Sequence, residues 1–258
     1  MLLLKNMFDF NNKLSDEYVT FLKFYNETTN KFHSVDYIKQ NVRVHPYKYV
    51  PEYNLNLYNA IQQESIISDD DCELIIKEAL AQGKWSTHAA EKSFTFWSGR
   101  TMPVFAVALA SNNMKIMKAV LHLYDTMEVL ISNRFNCSEP VMVDQIGFVH
   151  WPVGSWQVPH IDAIPELDRV CGTVLYLNDT YVGGETHYPY FGISVKPKRG
   201  MAIMHSPDNE HLHGVTKVHG CARYTISSTW SKLKYKNTTY NKDLQTLRTR
   251  VQNDTVAI

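Results

Sequence analysis

The sequence carries no excess of charge of either sign. Its 258 residues include 26 Lys or Arg and 26 Asp or Glu, so the formal net charge is zero. Proteins that bind nucleic acids or acidic surfaces usually carry a basic excess. The whole-chain composition therefore predicts no nucleic-acid partner.

Cysteine is scarce and is not arranged for metal binding. None of the four cysteines forms a C-x-x-C pair, and their spacings match no zinc module: Cys72, Cys137, Cys171 and Cys221. Unpaired thiols of this kind are typical of proteins from a reducing compartment. We therefore expect buried, reduced cysteines and a cytoplasmic location.

Long apolar runs are also lacking. The apolar run at Met1–Leu4 is too short for the core of a signal peptide, and no window approaches the ~20 apolar residues of a membrane-spanning helix. No membrane association is expected. There is no internal repeat or low-complexity tract, and the composition gives no indication of the oligomeric state.

The chain divides into three predicted regions. With 44% hydrophobic residues, it has enough apolar material for one large domain with extensions. Residues 1–64 form an aromatic-rich extension, expected either to pack on the main domain or to offer a substrate or dimer surface. Residues 65–231 form the main domain. Residues 232–258 contain six Lys or Arg and two Asp or Glu, which predicts a solvated basic tail.

Two helices are predicted early in the main domain. The first covers residues 66–85, where Ser68 can cap the amino end, acidic residues follow in the first turn and Gly83 is a stop signal. The second covers residues 113–134, with apolar side chains at helical spacing along one face.

From residue 141 onward the pattern is typical of β-strands. Short β-branched and aromatic runs alternate with turn residues, at residues 141–149, 172–177, 193–195, 201–205, 213–218 and 224–230. We expect these strands to close into a jelly roll over about residues 141–231. The predicted class is mainly β with flanking helices (α+β), with a double-stranded β-helix, cupin-like core.

One short motif in this region has the composition of a metal site. His160 and Asp162 are two residues apart, so on a strand both side chains leave from the same face. With a second histidine they would form the facial triad that binds iron(II) and leaves coordination positions open. Four histidines downstream are candidates for that ligand: His205, His211, His213 and His219.

Further blocks follow the motif in a specific order. The YLN block ends at Asn178, the GGET block covers residues 183–186, and a distal histidine is followed by a basic residue. From about Phe148 to Trp230, this order resembles the iron(II)- and 2-oxoglutarate-dependent dioxygenases, and within them the prolyl 4-hydroxylase-like family. The likeness is weaker over residues 66–85 and absent from the first 64 and the last 28 residues.

The resemblance selects the distal ligand and implies the cosubstrate contacts. In that family a Lys or Arg lies nine or ten residues after the second histidine and binds the far carboxylate of 2-oxoglutarate. Arg223 lies ten residues after His213, so the implied metal triad and catalytic centre is His160, Asp162 and His213. Thr225 and Ser227 would lie near the same carboxylate.

The sequence departs from the family at one position. Trp151 stands where the family commonly has a tyrosine that hydrogen-bonds 2-oxoglutarate, and an indole can donate but not accept. Trp151 would then line the pocket, and Tyr176 is the alternative source of a phenol. Glycines 183 and 184 predict a tight turn.

The resemblance also implies the activity. The chain would use iron(II), 2-oxoglutarate and O₂, with ascorbate as a further candidate cofactor, to hydroxylate a C–H bond and release succinate and CO₂. A prolyl residue in a peptide or protein is the expected target. Two alternatives remain open at the level of sequence: hydroxylation of a small molecule such as a free amino acid, and a non-catalytic jelly-roll metal-binding protein.

Overall fold

The structure is a computed structural model that describes residues 60–63, 66–83, 86–87, 100–155, 157–162, 168–188, 193–208, 211, 213–232 and 238–256. Most of the predicted aromatic-rich extension lies outside these residues. Residues 60–63, near the end of that extension, form an edge strand of the main sheet.

Four α-helices occur in the described part of the chain: α1 (Asp69–Gln82), α2 (Val104–Ser111), α3 (Met114–Arg134) and α4 (Thr238–Val256). Helix α1 has the predicted ends, since the Ser68 side chain accepts a hydrogen bond from the Asp71 amide and Gly83 adopts a left-handed conformation. Helix α3 also begins where expected, with Asn113 as its cap. Helix α2 was not predicted, because its almost uniformly apolar sequence has no helical alternation.

Thirteen strands are described: β1 (Ala60–Gln63), β2 (Ser86–Thr87), β3 (Arg100–Pro103), β4 (Val141–Trp151), β5 (Gln157–His160), β6 (Arg169–Tyr176), β7 (Val182–Gly183), β8 (Thr186–Tyr188), β9 (Ile193–Val195), β10 (Ala202–His205), β11 (His213–Val215), β12 (Val218–His219) and β13 (Arg223–Lys232). They form a seven-stranded sheet of order β1-β10-β6-β13-β4-β3-β2 and a four-stranded sheet of order β5-β11-β8-β9, while β7 and β12 pair separately. All pairings are antiparallel, as the jelly-roll prediction requires.

Strand β13 organises the large sheet. It pairs along its length with β4 on one side and with β6 on the other. Since side chains alternate between the two faces of a strand, one face of β13 carries Ile226 and Trp230, which belong to the main apolar cluster with the helices. The opposite face carries Arg223 and Thr225, which are directed between the two sheets.

The helices cover the outer face of the large sheet. The main apolar cluster joins residues of α1, α2, α3 and α4 to Phe148, Ile226 and Trp230 of that sheet. A smaller cluster lies between the sheets and contains Tyr176 and Tyr188. The space between the sheets is therefore partly polar, whereas the apolar core lies beneath the helices.

The carboxyl-terminal segment differs from the predicted solvated tail. Residues of α4 pack against α2 and α3, and Leu244 and Leu247 are buried in the main cluster. Its basic side chains obscured this pattern, although Arg248 pairs with Asp125 of α3 and Arg250 donates to the Leu109 carbonyl oxygen of α2. No helix in the described ranges is long and apolar enough to cross a membrane.

Candidate metal and cosubstrate site

Three side chains converge at one end of the space between the sheets. His160, Asp162 and His213 each place a ligand atom within 4.8 Å of the others, and they are the one such group among the described residues. The Nε2 atom of His160 lies 3.8 Å from Asp162 Oδ1. The Nε2 atom of His213 lies 4.0 Å from Asp162 Oδ2. Two imidazoles and one carboxylate suit iron(II).

Strand pairing brings the two histidines together. His160 on β5 is the direct register partner of His213 on β11, and their ring centroids are 4.4 Å apart. The sequence argument for Asp162 was only partly correct, because β5 ends at His160. Asp162 therefore joins the group from the loop that follows the strand. Arg169 fixes that loop by donating from Nη1 to the Asp162 carbonyl oxygen at 2.7 Å.

The ligand His213 is oriented by a backbone contact. Its Nδ1 lies 2.9 Å from the carbonyl oxygen of His211, which can only accept a hydrogen bond, so Nδ1 carries the proton. The Nε2 lone pair is then free for a metal, an arrangement typical of metal-binding histidines. Burial, followed by the charges of neighbouring histidines, holds the pKa of His213 well below its usual value.

The carboxylate of Asp162 is in its ligand form. Burial favours its protonation, but the nearby His213 and His205 outweigh that effect and hold the pKa of Asp162 well below its usual value. A neutral imidazole and an ionised carboxylate are the protonation states that bind a metal.

The other three candidate histidines are not part of this group of three. His219 is exposed on β12. His211 hydrogen-bonds Asp208 through Nδ1 at 2.6 Å. His205 lies closest to the metal group, since its Nε2 is 3.2 Å from Asp162 Oδ2 and its Nδ1 is 2.9 Å from the Tyr188 hydroxyl.

A buried cation lies deeper between the sheets. Arg223 is 0% exposed, and all three of its guanidinium nitrogens lack a hydrogen-bond partner among the described residues. The guanidinium carbon lies 4.8 Å from the ring centroid of Trp151 and 5.3 Å from that of Tyr176. Aromatic faces attract a cation but do not satisfy its N–H groups. This arrangement leaves a rigid fork of donors for a carboxylate.

Two phenols surround the same guanidinium. Burial raises the pKa of Tyr176 and of Tyr181 above the usual range, while the charge of Arg223 opposes that rise. Both hydroxyls therefore keep their protons. The Tyr176 hydroxyl lies 2.6 Å from Thr186 Oγ1, whereas the Tyr181 hydroxyl is buried without a partner in the described part of the chain. Sequence reasoning missed Tyr181, because no motif includes the loop that carries it.

The remaining predicted contacts lie on the same inner face. The Trp151 indole donates a hydrogen bond to Thr225 Oγ1 at 3.1 Å, and its ring packs against the Arg223 guanidinium. Ser227 is half-buried and pairs with Val174, which lines the cluster between the sheets. The strand-parity argument for residues 223, 225 and 227 therefore agrees with the structure.

Gly183 and Gly184 form a turn of the chain beside the Arg223 guanidinium. Gly183 and Gly184 have positive φ values of 71° and 63°, which glycine adopts most readily. A Cβ on Gly184 would lie 3.0 Å from Arg223 Cδ and 2.7 Å from Tyr181 Cε2. Gly184 therefore also provides room for the guanidinium.

The two ends of the space fit the expected groups. Tyr188 packs against His213, with ring centroids 5.9 Å apart, and it shares a cluster with Tyr176, which lies under Arg223. The metal triad and the buried guanidinium of Arg223 therefore border the same cluster of side chains between the sheets. A dicarboxylate that also binds a metal matches this pair of features.

Comparison with known proteins agrees with this geometry. Residues 146–231 match the 2OG-Fe(II) oxygenase superfamily, whose members use iron(II), 2-oxoglutarate and O₂. The match contains the triad and Arg223, and it confirms the resemblance found in the sequence. No curated protein sequence matches the chain.

Several solved structures share the fold. A prolyl hydroxylase from Trichoplax adhaerens, in complex with a hypoxia inducible factor oxygen degradation domain peptide fragment, is 16% identical with a TM-score of 0.56, covering 81% of this chain and 96% of its own. A Pseudomonas putida prolyl-4-hydroxylase is 15% identical with a TM-score of 0.54, covering 69% and 95%. The viral collagen prolyl hydroxylase of Paramecium Bursaria Chlorella virus-1 is 17% identical with a TM-score of 0.50, covering 70% and 99%. These likenesses confirm the double-stranded β-helix prediction.

Proposed function

We propose that this chain, which carries a 2OG-Fe(II) oxygenase domain at residues 146–231, hydroxylates a prolyl residue in a peptide or protein. The reaction consumes 2-oxoglutarate and O₂ and releases succinate and CO₂. The observation that carries the proposal is the convergence of His160, Asp162 and His213 within 4.8 Å. When bound there, iron(II) supplies the redox chemistry with O₂.

The protein's own residues hold and orient the reactants. His160, Asp162 and His213 would hold the metal and leave coordination positions for the other reactants. Arg223 binds the far carboxylate of 2-oxoglutarate, because its three nitrogens are buried without another partner. The protonated Tyr181 hydroxyl is a second donor to that carboxylate. Thr225, Ser227, Tyr176 and Trp151 line the walls around it.

The exposure of the site indicates where the substrate enters. The side chain of His160 is 25% exposed, that of His213 is 6% exposed and Arg223 is fully buried. Water and substrate therefore reach the metal group from the His160 side, while the cosubstrate occupies the deep end. The exposed Ile161 offers an apolar contact at this opening.

The choice of a peptide substrate is supported by the solved structures. The Trichoplax adhaerens protein is described with a bound peptide, and the viral protein is described as a collagen prolyl hydroxylase. At 16% and 17% identity they share a fold with this chain, and they direct the choice of test substrates.

We also propose that the protein works in a reducing compartment such as the cytoplasm. All four of its cysteines are free, and Cys72 and Cys171 are buried. Burial raises the pKa of the Cys72 thiol to about 12, so it is unreactive.

The test incubates the protein with iron(II), 2-oxoglutarate, O₂ and proline-rich peptides. We expect succinate release and one added oxygen on a prolyl residue by mass spectrometry. Matched peptides with alanine in place of proline should gain no oxygen. Asp162→Ala should lose turnover but keep its melting temperature, since the strand framework buries its core without a metal.

Other outcomes distinguish the alternatives. Oxygen added to free proline but to no peptide would indicate a small-molecule hydroxylase. Metal binding without succinate release under any condition would indicate a non-catalytic metal-binding protein and would contradict the proposal.

A further inference from the structure

Three side chains form a hydrogen-bonded chain that ends on the carboxylate of Asp162. The Tyr188 hydroxyl lies 2.9 Å from His205 Nδ1, and His205 Nε2 lies 3.2 Å from Asp162 Oδ2. His205 is 1% exposed and Tyr188 is 0% exposed. The imidazole is therefore held inside the protein, beside the triad but outside it.

The ionised carboxylate fixes the direction of the hydrogen bond between His205 and Asp162. An ionised carboxylate only accepts, so His205 carries a proton on Nε2 and donates it to Asp162. On the other side of the ring, Nδ1 lies 2.9 Å from the Tyr188 hydroxyl, so this second contact fixes the plane of the ring. Tyr188 keeps its proton, because burial raises its pKa well above the usual value. Tyr188 thus orients the ring, and the ring orients the carboxylate.

The backbone is built to bring this pair close together. Gly172 on β6 is the register partner of His205. A Cβ at Gly172 would lie 1.9 Å from Asp162 Oδ2 and 2.8 Å from His205 Nε2. The carboxylate and imidazole therefore occupy the space that any other residue at position 172 would fill.

The contact divides the two oxygens of Asp162 between two tasks. Oδ2 lies 3.2 Å from His205 Nε2 and 4.0 Å from His213 Nε2, whereas Oδ1 lies 3.8 Å from His160 Nε2. A carboxylate free to rotate can offer both oxygens to one metal and occupy a position that a cosubstrate needs. Holding Oδ2 would leave Oδ1 as the carboxylate oxygen available to a metal.

We propose that His205, oriented by Tyr188, is a positioning residue that holds Asp162 as a one-oxygen metal ligand. The inference rests on the proposed function, since it requires that Asp162 bind the metal. Hydrogen-bond partners of metal ligands typically contribute ten- to a hundredfold in metal affinity or activity.

The test measures manganese(II) affinity, a readout separate from turnover. Free manganese(II) is followed by its electron paramagnetic resonance signal during titration of the full chain. Four variants are compared with the unsubstituted protein: Asp162→Ala, His205→Phe, Tyr188→Phe and His205→Gln. His219→Phe, which replaces an exposed histidine on β12, is the matched control.

We expect a graded result. His205→Phe keeps a ring of similar bulk but loses both hydrogen bonds, so its dissociation constant should rise about ten- to a hundredfold. Tyr188→Phe should shift it less, in the same direction. His205→Gln, whose amide can donate near the Nε2 position, should recover most of the affinity. His219→Phe should leave it unchanged. Melting temperatures of the metal-free variants verify folding.

The outcomes separate this inference from the function on which it depends. If Asp162→Ala loses metal but His205→Phe binds as tightly as the unsubstituted protein, the positioning role is wrong and the metal site stands. If His205→Phe loses binding as completely as Asp162→Ala, His205 is a ligand and not a positioning residue. If Asp162→Ala itself binds normally, both the metal site and the positioning role are wrong.

Discussion

At the scale of single residues, the cost of burying the charge of Arg223 depends on whether an anion pairs with its guanidinium. The side chain is fully buried between two aromatic rings, and its nitrogens have no hydrogen-bond partner among the described residues. A buried charge without a partner is costly, so an incoming carboxylate gains unusually strong binding there. Replacing the guanidinium should therefore weaken cosubstrate binding selectively.

The first prediction concerns Arg223→Ala. We expect the half-saturating concentration of 2-oxoglutarate to rise by about two to three and a half orders of magnitude, because breaking a buried ion pair costs about 3–5 kcal/mol and each ~1.4 kcal/mol is tenfold. Arg223→Lys should lose less, since it keeps the charge but not the fork of donors. Titration of succinate production measures the change, and manganese(II) affinity should hardly move.

Lys217 provides the control for that experiment. It is the nearest basic residue in sequence and is exposed between β11 and β12. Lys217→Ala should leave half-saturation unchanged. The reverse pattern, in which Lys217→Ala is impaired and Arg223→Ala is normal, would assign the anchor to Lys217.

The second prediction concerns the space at Gly172. Gly172→Ala would place a Cβ 1.9 Å from Asp162 Oδ2, so the carboxylate must move away from His205. We expect manganese(II) affinity to fall at least tenfold, to about the level of His205→Phe. Gly147→Ala is the matched control, because its nearest contact would be an ordinary 3.7 Å to Met102 O. Equal affinities in the two variants would contradict the proposed close contact.

The sequence predicted the site residues whose spacing is fixed by a motif. His160, Asp162, His213 and Arg223 lie at the spacings of the family that the sequence resembles, so that resemblance can identify them. His205, Tyr188 and Tyr181 come from three separate segments and meet only after the sheets fold. Their contacts depend on strand register, which the sequence alone does not specify. His205 was a candidate ligand in the sequence, which does not identify its hydrogen-bond partners.

At the scale of elements, helix α4 closes the apolar layer over the large sheet. Leu244 and Leu247 are almost fully buried, and Arg248 forms an ion pair with Asp125 of α3 at 2.6 Å. The helix therefore completes the core, although its composition resembles a basic tail. Its apolar stripe is narrow and the segment is mostly polar, which is why the sequence predicted solvation.

The third prediction follows from that packing. Leu247→Ala should reduce the free energy of unfolding by about 2–5 kcal/mol, the usual cost of removing a buried leucine side chain. Leu80→Ala, at a leucine that is 41% exposed on α1, should cost much less. Urea unfolding measures both, and the slope of the transition should be unchanged. A Leu247→Ala variant as stable as Leu80→Ala would show that α4 does not pack on the core.

Elements with strong local signals were predicted well. Helix α1 has a cap, an acidic first turn and a glycine stop, so its two ends lie within three residues of the prediction. Strand β9 was predicted with its observed bounds. The two-residue strands β2, β7 and β12 carry too little local signal, and they form because neighbouring strands offer hydrogen bonds.

At the scale of the whole molecule, buried neutral imidazoles make folding sensitive to pH. His187 on β8 is 1% exposed, and burial, followed by the charge of His160, lowers its pKa to about 4. In an unfolded chain a histidine has a pKa of about 6.5. Between these values the unfolded state binds more protons, so the folded state loses stability as the pH falls.

The fourth prediction is a pH profile of the metal-free protein. Its free energy of unfolding should fall between about pH 6.5 and pH 4, with His187 contributing about 3 kcal/mol at ~1.4 kcal/mol per pH unit. The buried His213 contributes with the same sign. His187→Leu should therefore show a shallower fall than the unsubstituted protein, and the exposed His219→Gln should show the same fall. Identical slopes for His187→Leu and the unsubstituted protein would contradict the assignment.

The class of fold was predictable because several weak signals agree. Short apolar runs between turn residues indicated antiparallel strands. The order of the motif blocks from Phe148 to Trp230 then indicated the family fold that the sequence resembles. The seven-stranded sheet was not predictable in full, since β1 and β2 join from distant parts of the chain. Such pairings are set by the edges left open after the central strands have formed.

Because the guanidinium of Arg223 has no hydrogen-bond partner among the described residues, binding of the cosubstrate should also stabilise the folded protein. A ligand that binds only the native state stabilises it by mass action, by about 2.7 kcal/mol at a hundred times its dissociation constant. With metal present, 2-oxoglutarate should raise the melting temperature of the unsubstituted protein but not that of Arg223→Ala. When a cell's 2-oxoglutarate falls, more of this protein would open to proteases, so its abundance as well as its turnover would follow the supply of its cosubstrate.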